Sequence, residues 1–123
     1  MVLPFIEGKN LTRAKVVQSL VRYAQNEDWI GFFWLYGAVH ALHPADLHAD
    51  AERTAVMQLI GELWDSGVRP GTIEHADGPA IFVPWALNKS SAMQKIDSAI
   101  AALGHVPKND IEGDAICWFD FTE

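Results

Sequence analysis

Three imidazoles and two carboxylates fall within eleven residues in His40-Ala-Leu-His43-Pro-Ala-Asp46-Leu-His48-Ala-Asp50. These are the ligand types of zinc and other divalent metals. To bind, they must converge at ~2 Å on one ion, each steadied by a further hydrogen-bond partner. His40 and His43 share a helix face only if the helix continues to His43, and Pro44 disfavours that. No H-E-x-x-H motif is present. The competing reading is a helix end and a loop, with Asp46 capping the next helix and the imidazoles in solvent.

Cys117 would be a nucleophile if His75 or His105 lay beside it. In a strand over 115–121, however, it shares a face with Phe119 and Phe121. A thiol there packs as a small hydrophobe, inert without a depressed pKa. Ser90-Ser91 lacks G-x-S-x-G surroundings. Gly67-Val-Arg-Pro-Gly71 is neither a P-loop nor a dinucleotide fingerprint, and Pro70 removes an N–H that a phosphate cradle would use. The sequence therefore shows no catalytic constellation and calls for no cofactor. A non-enzymatic protein is the expectation, with a small metal-dependent enzyme using His40, His43, Asp46 and His48 as one alternative.

The elements that must position these residues are readable from periodicity. Residues 11–26 predict an amphipathic helix, with Ala14, Val17, Leu20, Val21 and Ala24 on one face and Asn10 as cap. The run 29–42 holds no Asp, Glu, Lys or Arg over fourteen residues. It predicts a central helix capped by Asp28, and is shorter than the ~20 residues of a membrane span. A third helix is expected over 46–66, with Val56, Leu59, Ile60, Leu63 and Trp64 inward and Glu52, Arg53, Gln58, Glu62 and Asp65 outward. Gly67 stops it.

Residues 72–74 and 80–83 read as hairpin strands around Ala76-Asp77-Gly78-Pro79. A fourth helix spans 89–103, with Asn88 as cap, Gly104 as stop, and Met93, Ile96, Ile100 and Leu103 inward. A polar loop then leads to a terminal strand over 115–121. The expected class is α+β, mostly helical, with about four helices and a small antiparallel sheet in one domain over 1–123. That length buries roughly two-thirds of the unfolded surface, so a core needs no disulfide or metal.

Charge is the strongest clue to a partner. The chain has sixteen Asp/Glu and nine Lys/Arg, a net of −7. Four of the basic residues and only Glu7 of the acidic ones precede position 27, so residues 27–123 carry −10. Such a surface repels phosphates and anionic lipid, which argues against nucleic acid and membrane partners. It attracts a basic protein and speeds its association. The single cysteine precludes an internal disulfide. It fits a reducing cytoplasm. Residues 1–6 lack a signal-peptide pattern.

The candidate partner-binding residues are Glu74, Asp77, Asp110, Glu112, Asp114 and Asp120, near an acidic tail ending in Glu123. Trp85 or Trp118 would serve as aromatic anchor, since tryptophan is enriched at binding hot spots. Ordinary solvation of the acids and packing of the tryptophans is the bland account. Of the five tryptophans, Trp29, Trp34 and Trp64 are expected in the core. A pocket near Trp29, Trp34 and Tyr36 would instead serve a small-molecule-binding or regulatory adaptor domain.

Arg53, Leu59-Ile60, Leu63, Gly67-Val-Arg-Pro-Gly71, Phe82-Val-Pro-Trp85, Ile96, Ala102-Leu-Gly104, Pro107 and Cys117-Trp-Phe119 form an ordered series. Over about residues 53–122 it resembles small bacterial immunity proteins of polymorphic or contact-dependent growth inhibition toxin systems. Residues 1–50 match no pattern of that family. The resemblance implies a cytoplasmic protein that binds a toxin domain stoichiometrically and occludes it. Many such toxins are nucleases with basic clefts, which an acidic partner can occupy as a phosphate mimic.

Overall fold

The structure, a computed structural model, describes residues 11–43, 47–75 and 77–122. In chain order the elements are α1 (Arg13–Asn26), β1 (Ile30–Gly31), α2 (Phe33–Leu42), α3 (Ala49–Asp65), β2 (Val68–Glu74), β3 (Ile81–Pro84), α4 (Lys89–Leu103), α5 (Asp110–Asp114) and β4 (Trp118–Phe121). The fold is α+β and mostly helical, with an antiparallel sheet of order β1-β4-β2-β3. Helices α1 and α3 pack on the sheet, while α2 and α4 pack on α3.

The caps explain several boundaries. The Thr12 hydroxyl accepts from the Lys15 N–H at 3.2 Å and starts α1; the expected cap, Asn10, lies outside the described residues. The buried stripe of α1 is Val16, Val17 and Leu20, whereas Ala14 is exposed. Asn88 caps α4, accepting from Ser91 N–H at 2.8 Å, and Gly104 ends it at φ +92°. That left-handed conformation costs glycine nothing. Both ends of α4 agree with the expectation.

Three expected elements differ. The run from Trp29 does not begin as a helix: Ile30 and Gly31 pair with Phe119 and Trp118, and α2 starts at Phe33. A uniformly apolar run carries no period, so pairing with a distant strand decides its first residues. The third helix begins at Ala49, after His48, which makes no side-chain cap bond; Asp46, the expected cap, is outside the described residues. The expected polar loop before the last strand contains α5. Asn109 accepts from the Glu112 N–H at 3.0 Å while the Glu112 carboxylate accepts from the Lys108 N–H at 3.0 Å. This reciprocal arrangement is close to a capping box.

Strand β2 is longer than expected and runs through Pro70 in a central position. Proline costs a sheet its ladder bond. Here the missing N–H faces the end of β3, and the Pro70 carbonyl still accepts from Trp85 N–H at 3.1 Å. The core joins Val16, Leu20, Ile30, Phe32, Leu35, Leu59, Leu63, Ile96 and Phe119, all at most 1% exposed. Trp29, Trp34 and Trp64 are half-buried at its margin, not within it.

Candidate functional site: an aromatic cleft beside Trp118

The last strand was expected from 115, but it pairs only from Trp118 onward. The cause is α5. The Ile116 and Cys117 N–H groups both donate to the Gly113 carbonyl, at 2.9 and 3.1 Å. Both are thereby held by the helix end, and Ile116 is the one whose N–H the register of β2 would otherwise meet. Gly113 gives the close approach there, since a Cβ would sit a tight 3.2 Å from the Phe33 nitrogen and 3.3 Å from Phe32 Cβ. Strand β2 continues to Glu74 alongside β3. A cleft of about 560 Å³ opens between Thr72–His75 and Asp114–Trp118, with Trp29 and Ala80 completing the wall.

Alternation places Trp118 and Asp120 on the face opposite the buried Phe119. Trp118 is flanked in the sheet by glycines, Gly31 on β1 and Gly71 on β2. A Cβ on Gly31 would lie 3.5 Å from the Trp118 ring and 2.8 Å from Phe33. A Cβ on Gly71 would meet the Val83 carbonyl oxygen at 2.4 Å and Phe82 at 2.5 Å. The glycines let three aromatic rings cover a face that no helix packs against.

Asp114 is exposed at the cleft mouth, and its carboxyl is pushed above its ordinary value, first by partial desolvation and then by Asp110. Asp120 is half-buried and also pushed up, first by burial and then by Asp28, although the Phe121 N–H donated to it pulls the other way. The ion pairs among the described residues are Arg13–Glu62, His40–Glu52, Arg53–Asp97, Lys89–Asp65 and His105–Glu112. None of them uses Asp28, Asp110, Asp114 or Asp120.

The other expected binding residues divide. Glu112 is spent on the α5 cap and on His105, 3.0 Å away. Glu74 and Asp77 are exposed beyond the cleft, at the end of β2 and in the following turn. Trp85 belongs to the opposite, helix-side face. Its indole N–H donates to the Thr72 hydroxyl at 3.3 Å, and Lys95 Nζ stands 4.1 Å from its ring. Trp118 and Asp114 thus line one cleft, Asp120 shares only the sheet face of Trp118, and Trp85 lies on the other face. Sequence reasoning missed Trp29, which it placed in a helix core, and the neighbourhood of Asp28 and Asp120. The signal was Gly31, since a glycine in a short apolar run marks a strand with a close neighbour.

The histidine segment does not assemble. His40 Nε2 lies 2.7 Å from the Glu52 carboxylate, and Tyr36 packs on its ring at 4.4 Å. Contrary to expectation, Glu52 is therefore buried rather than on the outer face, and His40 is not left in solvent. His43 and His48 are exposed. Among the described residues no group of three or more His, Cys, Asp or Glu is placed to hold a metal. Asp46 falls outside them. Cys117 is 2% exposed, and burial pushes its thiol far above its ordinary value, so it packs as core. Trp29, Trp34 and Tyr36 share no pocket: Trp34 packs on Tyr23 at 4.8 Å, and only Trp29 lines the cleft. No described helix is long and apolar enough to cross a membrane.

Together these features define a small α+β domain with an aromatic cleft that Asp114, His75 and the buried Cys117 also line. Comparison with protein-family models, with curated proteins and with solved structures finds no match for this chain.

Proposed function

We propose that the protein is an immunity-type inhibitor that acts in the cytoplasm, binding a basic toxin domain stoichiometrically and covering its functional cleft. The observation that carries this reading is a cleft lined by Trp29, Trp118 and Asp114, with Asp120 on the same sheet face as Trp118. The carboxyls of Asp114 and Asp120 are both pushed above their ordinary value, by desolvation first, and neither is in an ion pair among the described residues. Partly desolvated carboxylates outside an ion pair cost the fold stability. A basic partner supplies the missing charge, and a half-buried tryptophan at the centre supplies contact area. A nuclease is the favoured target, because its substrate site is built to hold anions.

The test is capture by tagged protein from the lysate of its own host, at low and then physiological salt, with mass spectrometry of the eluate. The expected result is a toxin's basic C-terminal domain at one-to-one stoichiometry, inhibited when bound. The triple variant D110K/D114K/D120K should lose that domain. Unchanged binding by the triple variant would show that this surface is not the interface. A second reading, a small-molecule adaptor, draws on the same cleft through Trp29. A ligand that raises the melting temperature of wild type but not of Trp29→Ala would favour it.

A further inference from the structure

Strand β2 outruns its partner on one side, and that leaves main-chain groups aimed into the cleft. The Trp85 N–H bonded to the Pro70 carbonyl at 3.1 Å fixes the phase of the ladder. By alternation Pro70, Thr72 and Glu74 direct their main-chain groups toward β3, and Arg69, Gly71 and Ile73 direct theirs toward β4. Arg69 and Gly71 face Asp120 and Trp118. Continuing that register, Ile73 would face Ile116. The Ile116 N–H is already given to Gly113 at 2.9 Å, and pairing stops at Trp118. Among the described residues, therefore, no ladder partner meets the N–H and C=O of Ile73 on the side that opens into the 560 Å³ cleft.

An unpaired stretch of strand bordered by a cavity is a template for an added strand. Of the two outer strands, β1 is only two residues long and β3 is blunted. Its outward groups come from Phe82 and Pro84, and Pro84 has no N–H to offer. The cleft has the size of a ligand pocket, within the ~300–1,000 Å³ range. No lysine or arginine lines it, and Trp29, Trp118 and Asp114 do. An aromatic face with a nearby carboxylate suits a guanidinium or ammonium group.

We propose that this cleft receives an extended, cationic segment of the partner protein. The partner's main chain pairs with Ile73, and one basic side chain is held by Trp29, Trp118 and Asp114. The proposal rests on the inhibitor reading only for the identity of the partner.

The test needs no toxin. Isotope-labelled protein is titrated with the peptide acetyl-Gly-Arg-Val-Arg-Gly-amide, with its citrulline counterpart, and with the arginine peptide N-methylated at valine. The readouts are the Ile73 amide and the indole N–H signals of Trp29 and Trp118. Expected are saturable shifts at these three signals. Affinity should fall at least tenfold for the citrulline peptide and be lost on N-methylation. Asp114→Asn should weaken the arginine peptide and leave the citrulline peptide unchanged. Equal binding of charged and neutral peptides, shifts centred outside the cleft, or no shift up to millimolar peptide would overturn the proposal. Toxin binding with a silent cleft would overturn it and leave the inhibitor reading standing. Peptide binding by a protein that captures no toxin would do the reverse.

Discussion

Replacing Asp120 with asparagine should stabilise the fold and weaken partner binding at once. The change keeps the side-chain oxygen that accepts the Phe121 N–H at 2.8 Å, and removes only the charge. In the fold this carboxyl is held above its ordinary value, by burial first and then by Asp28. Below about pH 3.9, the ordinary aspartate value, it is neutral in both folded and unfolded chains and costs nothing. As pH rises the unfolded chain ionises first, so the folded state loses stability, and the loss is complete once the folded carboxyl has ionised. Asp120 is half-buried. Solvent screening therefore keeps the penalty near the surface range of ~0.2–1 kcal/mol. With an unfolding entropy of ~2.1 cal/mol/K per residue, a chain of 123 residues shifts by about 4 °C per kcal/mol. Asp120→Asn should then raise the melting temperature by about 1–4 °C at pH 7 and by nothing at pH 3. A charge facing a basic partner contributes more than it costs the free protein, so affinity should drop about tenfold or more, which is ~1.4 kcal/mol. Calorimetry at both pH values and a binding isotherm check the two halves. A melting temperature that falls at pH 7, or a gain that persists at pH 3, would refute the electrostatic reasoning.

Other variants probe the parts that build the cleft. Gly71→Ala places a Cβ 2.4 Å from the Val83 carbonyl oxygen. It should cost ~1–3 kcal/mol in denaturant unfolding through the forced backbone shift. Phe119→Ala, at a fully buried position against Phe32, should cost ~3–5 kcal/mol. His40→Ala leaves the buried Glu52 carboxylate without its partner at 2.7 Å. It should cost ~1–3 kcal/mol, and Glu52→Gln in the same background should recover part of that loss. Cys117 should resist a thiol reagent in the native protein and react at the rate of unfolding, because its thiol is buried and its pKa raised.

Local chemistry was enough for a good part of this architecture. Asn88 and Gly104 mark both ends of α4 because caps and left-handed turns depend on residue type at one position. The α+β class follows from helical periodicity broken by a proline- and glycine-rich stretch. The burial of Cys117 agrees with the apolar face expected of it, although the strand expected to place it there begins only at Trp118. The acidic charge is a property of composition. What the sequence left undetermined depended on pairing between distant segments. Nothing local tells Ile30 and Gly31 to pair with Trp118 and Phe119 rather than continue into a helix. Nothing local separates Trp118, on the open face, from Trp85, on the helix side. Glu52 reads as a surface residue until α2 brings His40 to it. The cleft exists because the end of α5 takes the Ile116 N–H, which β2 would otherwise pair with. That competition between a helix end and a strand edge is settled only when the two lie side by side in the fold.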